Sequence, residues 1–205
     1  MSPIDRLIAA FERFPGIGPR QARRFVSFLL SQNNATRGDI ADSIRALGAA
    51  AATCSCCYRW FLKDQGRGGV CAVCGDPKRD AGLLMVVEKE ADIDNVERGG
   101  YRGLYFVLGG TAPLAEERPE KYIRMRELFL RVESDIAAGT LKEIILGLSA
   151  TTEGDHTRLL LHEELRPRIE AYSVVVSTLG RGLSTGSELE YADPETIAQA
   201  LKGRK

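Results

Sequence analysis

The sequence predicts a multidomain chain with an α part and an α/β part, and three observations lead to that prediction. Apolar residues near the start recur at helical spacing on either side of a glycine- and proline-rich turn. All the cysteines lie between Cys54 and Cys74. From residue 83 onward, short apolar runs alternate with helical patterns, which is typical of a mainly parallel sheet covered on both faces. We therefore expect a helical domain, a small cysteine module, a larger α/β domain and a short C-terminal helical segment.

The composition is that of a folded protein. Of its 205 residues, 44% are hydrophobic and 27% are charged, so the chain can bury a core. No apolar run approaches the roughly 20 residues of a membrane span. The first residues include Asp5 and Arg6 and lack the apolar stretch of a secretory signal. We therefore expect a cytoplasmic protein.

The balanced net charge hides a difference between the two parts of the chain. Residues 1–82 carry 12 basic and 7 acidic side chains, whereas residues 83–205 carry 16 basic and 21 acidic ones. This asymmetry suggests that the two parts face different partners. A chance distribution of surface charge would look similar, so the evidence for separate partners has to come from the sequence motifs.

Three helices are predicted in the N-terminal part. Apolar residues recur at helical spacing over residues 4–14, and again over residues 22–29 after an interruption by two prolines and two glycines. A third helix is expected to begin with Thr36 as its N-cap, with Asp39 three residues later. The first two helices flank the turn that carries the first functional motif.

The turn between the first two helices predicts a nucleic-acid contact. Gly16 and Gly18 allow the backbone to bend tightly and to approach another group closely. The next helix starts there, with free N–H groups that suit a phosphate, and Arg20, Arg23 and Arg24 follow. A helix-hairpin-helix grips the DNA backbone in this way without reading bases. Glycine and proline are also common in ordinary helix–helix turns, but the three arginines favour DNA contact.

The cysteines predict a structural metal site over residues 53–79. Cys54 and Cys57 form one Cys-x-x-Cys pair, and Cys71 and Cys74 form a second pair after thirteen intervening residues. Two such pairs bring four thiolates to one tetrahedral zinc ion per chain, with no coordination position left open. The binding energy of the metal would replace the apolar core that this segment lacks. Cys56 is the surplus thiol, and the spacing favours its neighbours as ligands.

The α/β part is read from short apolar runs separated by helical patterns. A continuous apolar run is typical of a strand in a parallel sheet that is buried on both faces. A short helix is expected near the end of the chain, over residues 194–201. The predicted strands cover residues 83–87, 104–108, 144–148 and 174–176, with helices over 91–96, 125–136 and 159–165.

Three carboxylates follow predicted strands. Glu88 comes directly after the first strand of the α/β part, and Glu153 and Asp155 come after the third. Ligands of open parallel sheets lie beyond the carboxyl ends of the strands, and carboxylates gathered there can hold a magnesium ion against a phosphate. Acidic residues also favour helix starts for electrostatic reasons, so both interpretations stay open. The sequence has no Gly-x-x-x-x-Gly-Lys-Ser/Thr motif, which excludes a P-loop ATPase.

Five segments of the sequence, in this order, resemble signatures of the bacterial recombination mediator family RecR. The resemblance runs over residues 7–201, nearly the whole chain. The sequence departs from the family pattern in a shorter loop over residues 111–119, and Cys56 is extra. The matching segments are residues 14–24, 87–93, 103–110, 152–157 and 182–193.

The resemblance implies four modules. They are a helix-hairpin-helix DNA-binding domain over 1–52, a C4 zinc finger over 53–79, a Toprim domain over 80–176 and a C-terminal segment over 177–205. It also implies a ring-shaped tetramer, a dimer of dimers, that encircles double- or single-stranded DNA without sequence preference and is associated with the nucleoid.

The family also implies partners and roles for particular residues. RecR proteins act with RecO and RecF in recombinational DNA repair and help to load recombinase at gaps and breaks. Arg20 and Arg24 match the DNA-contacting positions of the family. The Toprim acidic residues, matched by Glu88, Glu153 and Asp155, lie near the surface that binds RecO. No catalysis is established for the family, so we expect a non-enzyme. The alternative is a metal-dependent DNA-processing nuclease of the Toprim type.

Overall fold

The computed structural model describes residues 1–116, 118–180, 182–183, 186 and 188–203. Seven α-helices and six β-strands lie within these residues. The chain divides into two compact units, Met1–Ala51 and Ala52–Lys205. None of the described helices has both the length and the apolar character that crossing a membrane requires.

The first unit contains the helices α1 (Pro3–Phe11), α2 (Pro19–Ser31) and α3 (Asn34–Ala50). Ser2 is the N-cap of helix α1, and its hydroxyl accepts a hydrogen bond from the Asp5 N–H at 3.1 Å. The predicted start of α3 at Thr36 is wrong. Asn33 is the N-cap, and its side chain accepts a hydrogen bond from the Thr36 N–H at 2.9 Å.

Arg37 fixes the connection between α2 and α3. Its guanidinium donates to the backbone carbonyl oxygens of Leu29, Leu30 and Gln32 at 3.3, 3.4 and 2.8 Å. The last carbonyl oxygens of a helix have no N–H donor within it, and a basic side chain can donate to them instead. This arginine is therefore structural, unlike the exposed arginines at the other end of α2.

The cysteine module follows, and its first strand begins at Ala51, the last residue of the first unit. Strands β1 (Ala51–Thr53) and β2 (Trp60–Leu62) form a two-stranded sheet. Side chains alternate along β2, with Trp60 and Leu62 exposed and Phe61 packed against the buried cysteines. The module has a core of only three buried residues, all of them cysteines, among those that the structure describes.

The rest of the second unit is an α/β domain with one four-stranded sheet, ordered β4-β3-β5-β6 and parallel throughout. Leu84 and Val86 pack on one face of the sheet, while Met85 and Val87 pack on the other. The prediction of a parallel sheet covered on both faces is confirmed. Its elements are β3 (Asp80–Val87), α4 (Glu90–Arg98), β4 (Gly103–Val107), α5 (Met125–Ala137), β5 (Glu143–Gly147), α6 (Thr152–Ile169), β6 (Val175–Thr178) and α7 (Pro194–Lys202).

The predicted C-terminal helix is also confirmed as α7, which is capped by Asp193. The RecR-like signature over residues 182–193 falls partly outside the described residues, because 184, 185 and 187 are not among them. The 111–119 loop is described except for residue 117.

Candidate nucleic-acid interface and metal centre

The hairpin between α1 and α2 is a tight turn braced by aromatic rings. The Ile17 N–H donates to the Phe14 carbonyl at 3.1 Å, and Gly16 takes a left-handed φ of +75°. The Phe11 ring lies 6.0 Å from that of Phe14 and 5.6 Å from that of Phe25, between ring centroids. These contacts fix the point at which α2 begins.

The N-terminus of α2 presents unpaired backbone donors. Gly18 is the N-cap and provides no side-chain hydrogen bond, and Pro19, at the first helical position, has no N–H. The first helical bond runs from the Ala22 N–H to the Gly18 carbonyl at 3.0 Å. The N–H groups of Arg20 and Gln21 therefore have no acceptor within the helix. Together with the positive end of the helix dipole, they form a site suited to a phosphate.

Gly18 leaves open space beside this site. Its backbone is extended, with φ −90° and ψ 174°, a conformation that any residue can adopt. A Cβ placed on Gly18 would meet nothing within 4 Å. Serine, asparagine or aspartate would cap the helix better at this position. Contacts within the chain therefore give no reason for a glycine here, whereas close approach by an external group does.

The three predicted arginines lie along the first turns of α2. Arg20, Arg23 and Arg24 are all exposed, and the first turn contains no acidic residue. Arg24 donates to the side-chain oxygen of Gln21 at 3.1 Å. Within the described part of the chain, none of the three forms an ion pair with a carboxylate. Their charges therefore remain available to an external anion.

The structure brings the four predicted cysteines together. The sulfur atoms of Cys54, Cys57, Cys71 and Cys74 all lie within 4.8 Å of one another. The Cys71 N–H donates to the Cys54 sulfur at 3.4 Å. Cys56 is half-buried and lies outside this group. We call the group the four-cysteine cluster.

Burial and mutual hydrogen bonding shift the pKa values of three of the clustered thiols in different directions. Hydrogen bonding to Cys57 and to Cys71, together with burial, raises the pKa of Cys74. The hydrogen bond with Cys71 likewise raises the pKa of Cys57, while hydrogen bonds from Cys57 and Cys74 lower the pKa of Cys71. Four thiolates this close together repel one another, so they need a cation to be stable together. A closed set of four sulfur ligands fits a metal ion such as zinc.

The carboxylates occupy the carboxyl edge of the sheet but do not cluster. Glu88 is only 8% exposed, and its Oε1 accepts a hydrogen bond from the Ser149 N–H at 2.6 Å. Asp155 is ion-paired with Arg158 in the first turn of α6, where Glu153 also lies. Among the described residues, the four-cysteine cluster is the one group of three or more ligand atoms with metal-binding spacing.

Sequence reasoning missed two sets of long-range contacts: one holds the cysteine module against the α/β domain, and the other holds the 111–119 loop against α6. The Glu90 side chain accepts from the Trp60 N–H at 2.7 Å and pairs with Arg59 at 3.4 Å. Thr157 ties the 111–119 loop to α6, because its Oγ1 accepts from the Ala112 N–H at 2.9 Å. These partners are 30 to 45 residues apart, so no local pattern could reveal them.

Comparisons with known proteins match nearly the whole chain to proteins named RecR. Family models match in order: RecR helix-hairpin-helix over residues 4–47, Toprim domain over 82–187 and RecR C-terminal over 182–205. The "Recombination protein RecR" of Bifidobacterium longum subsp. infantis is 39% identical over 98% of this chain and 95% of its own length. The protein of the same name from Chloroflexus aggregans is 37% identical over 100% and 94%. That of Pelotomaculum thermopropionicum is 35% identical over 99% and 96%.

Proposed function

The chain belongs to the RecR family of recombination proteins, and from that premise we propose that it is a DNA-binding recombination mediator that holds DNA through its hairpin. The family supports a role in recombination and repair. The observation that carries the proposal is the N-terminus of α2, where free N–H groups, open space at Gly18 and three exposed arginines lie together.

The proposed contact is to the sugar–phosphate backbone. Backbone N–H groups at a helix start and arginine side chains bind phosphate oxygens, which carry no sequence information. We therefore assign DNA binding to Gly16, Gly18, Arg20, Arg23 and Arg24. Binding to double- and single-stranded DNA should be independent of sequence.

The proposed cofactor is one zinc ion per chain, held by the four-cysteine cluster. Zinc coordinated by four cysteines has no free position for substrate, so its role would be structural. We assign no catalytic residue and propose that the chain is not an enzyme. The domain bounds we propose are 1–52, 53–79, 80–176 and 177–205, and the division between the compact units at residue 51 supports the first of them.

We propose that the protein is a tetramer that closes around DNA. The support is an apolar groove of about 570 Å³ between the three helices of the first unit. Ile44, which lines the groove, is 63% exposed. An apolar surface of this extent on a small unit is typical of an interface, and a second copy of the chain would cover it.

The proposed partners are RecO and RecF, which would act with the ring to load recombinase at gaps and breaks. We assign RecO binding to the carboxyl edge of the sheet, where Glu88, Glu153 and Asp155 lie. The excess of acidic residues after residue 82 supports a partner other than DNA for this part of the chain.

The test is a salt titration of DNA affinity for wild type, for the double variant Arg20→Ala/Arg24→Ala and for Arg45→Ala. On duplex DNA, each phosphate contact adds about 0.9 to the magnitude of the slope of log binding constant against log salt concentration. The double variant should therefore lower the slope by about 1.8 and weaken binding to all sequences equally. Arg45 is exposed in α3 and paired with Asp42, so it is a matched control that should bind normally. Wild-type binding by the double variant would remove the hairpin from the site.

A further inference from the structure

Hydrogen bonds join the loop that carries the first cysteine pair to the α/β domain. The Cys57 carbonyl accepts from the Val107 N–H, at the end of β4, at 2.8 Å. The Cys56 carbonyl accepts from the guanidinium of Arg131, on α5, at 3.0 Å. The position of one cysteine of the cluster and the end of one strand are therefore fixed relative to each other.

Tyr58 extends this connection from the cluster. It follows Cys57 directly and has a left-handed φ of +61°, which no other described residue except glycine adopts. This conformation costs a tyrosine roughly 1–2 kcal/mol, so the surrounding contacts must impose it. The ring packs 5.4 Å from that of Phe106, and the guanidinium carbon of Arg124 lies 5.5 Å from the Tyr58 centroid. A cation over an aromatic face at this distance is attractive.

Arg124 connects Tyr58 to the turn that follows β4. Its Nη1 donates to the Val107 carbonyl at 3.0 Å, and its backbone N–H donates to the Leu108 carbonyl at 2.8 Å. Gly109 has a φ of +98°, and a Cβ there would lie only 2.8 Å from the Arg124 Nη1. The guanidinium therefore lies directly against this turn.

The same turn is bonded to the residue that we assign to partner binding. The Gly109 N–H donates to the Glu88 carbonyl at 2.9 Å, and the Leu108 N–H donates to the Val87 carbonyl at 2.8 Å. A continuous series of contacts therefore leads from Cys57 through Tyr58 and Arg124 to Glu88. None of these contacts requires DNA or a partner to be present.

We propose that Tyr58 and Arg124 are positioning residues that couple the four-cysteine cluster to the 108–110 turn, so that metal binding orders the carboxyl edge of the sheet. The inference rests on the proposed function for the role of that edge, while the coupling itself is a property of this chain. Metal binding would hold the Cys57–Tyr58 turn in its left-handed form and keep the ring over Arg124. By linkage, a partner bound at the edge would tighten metal binding.

The test is hydrogen exchange of the full chain, with zinc bound and after removal of zinc by a chelator. We expect zinc removal to speed exchange of the Leu108 and Gly109 amides by about tenfold, a typical coupling strength. The amides of β5, in the centre of the sheet, report whether the domain is still folded. Unchanged protection of the turn in a chain that has lost its zinc would overturn the proposal.

Variants test the coupling without removing zinc. Tyr58→Gly takes a φ of +61° without strain, so it should keep one zinc per chain, yet its Leu108 and Gly109 amides should exchange as fast as in the zinc-free protein. Arg124→Gln should have the same effect. Trp60→Ala, an exposed aromatic in the same module, is the matched control and should leave the turn protected. Full protection of the turn in zinc-bound Tyr58→Gly and Arg124→Gln would contradict the proposal.

This readout separates the inference from the proposed function. Hydrogen exchange uses neither DNA nor a partner. If the Leu108 and Gly109 amides show zinc-dependent protection but the protein binds no partner, only the proposed partner binding at the carboxyl edge of the sheet is refuted. A loss of zinc-dependent protection with partner binding intact would refute only the coupling.

Discussion

Gly16 and Gly18 lie two residues apart in the hairpin, yet only Gly16 has a left-handed backbone, with a φ of +75° against −90° at Gly18. The turn itself requires a glycine at the first position, because other residues rarely adopt this φ. Gly18 has an extended backbone, which other residues adopt without strain, so the turn does not require a glycine there. We therefore expect replacement of Gly16 to affect mainly folding stability, and replacement of Gly18 to affect mainly DNA binding.

Gly18→Val should weaken DNA binding by about tenfold at low salt, because the side chain would occupy the space that a phosphate approaches, an effect of about 1.4 kcal/mol. Its free energy of unfolding should fall by less than about 1 kcal/mol, because valine adopts the extended backbone without strain but caps a helix less well than glycine. Gly16→Ala should instead lower the free energy of unfolding by about 1 kcal/mol. Fluorescence anisotropy with labelled DNA and urea denaturation measure both effects. Unchanged DNA affinity in Gly18→Val would argue against contact at this helix start.

Cys57→Ser should abolish stable zinc binding, whereas Cys56→Ser should retain one zinc per chain. The reason is that Cys57 belongs to the four-cysteine cluster and Cys56 does not. Because metal binding supplies folding free energy to such modules, Cys57→Ser should also unfold at a lower temperature. Elemental analysis of the purified variants and thermal denaturation would check this. Loss of zinc in Cys56→Ser would place that thiol among the ligands.

The Arg79–Glu97 pair should make stability depend on pH in the acidic range. The hydrogen bond from Arg79, at 2.8 Å, lowers the pKa of Glu97 below its usual 4.5. A lowered pKa in the folded state means that the contribution is present above pH 4.5 and is lost as pH falls through the folded value. Glu97→Gln should thus cost on the order of 1 kcal/mol at neutral pH, with a difference from wild type that shrinks in acid.

Urea denaturation of both proteins between pH 3 and 7 would measure this difference, and metal loss common to both would cancel. Asp42→Asn is the control, because the Arg45–Asp42 pair is well exposed and should contribute little. A constant difference between Glu97→Gln and wild type across the range would show that the charge of Glu97 is not responsible.

Ile44→Glu should dissociate the oligomer by placing a charge in the apolar groove of the first unit. Burying an unpaired carboxylate in an interface is strongly unfavourable. Ala46→Glu adds the same charge to the same helix away from the groove-lining residues and should leave the oligomer intact. Light scattering after size-exclusion chromatography gives the mass directly. An unchanged mass for Ile44→Glu would mean that the groove is not the interface.

Supercoiled plasmid should remain uncut in the presence of the protein with magnesium or manganese. Glu88 already accepts from the Ser149 N–H, and Asp155 is paired with Arg158, so these carboxylates are not arranged as a metal site. Gel electrophoresis of the plasmid would reveal nicking. Cleavage that disappears in Glu88→Gln would favour the nuclease alternative.

The sequence predicts the type of almost every element because the signals are local. Apolar residues that recur every three or four positions mark helices, continuous apolar runs mark buried strands, and cysteine spacing marks the cluster. Boundaries are less certain, because neighbouring residues can compete as caps. Asn33 and Thr36 are both good N-caps, and the structure places Asn33 in that role with Thr36 as its hydrogen-bond donor.

Long-range contacts could not be predicted in the same way. The Arg131 side chain reaches the Cys56 carbonyl across 75 positions in the chain, and neither residue carries a local sign of the contact. The carboxylates illustrate the same limit. Their placement at strand ends follows from the pattern, but whether Glu88 and Asp155 face a common ion depends on tertiary geometry that spacing does not encode.

The parallel arrangement of the sheet has a consequence for how the chain acquires its structure. Leu84 on β3 pairs with Leu104 on β4 and with Ile144 on β5. The central strand can therefore be paired on both sides only after segments 20 and 60 residues away have come together with it. Closing such long loops is slow. The cysteine loops are short, and a metal-bound module should form early and offer β4 a preformed anchor at its end. In a cell starved of metal, newly made chains should therefore fold more slowly as well as bind partners less well.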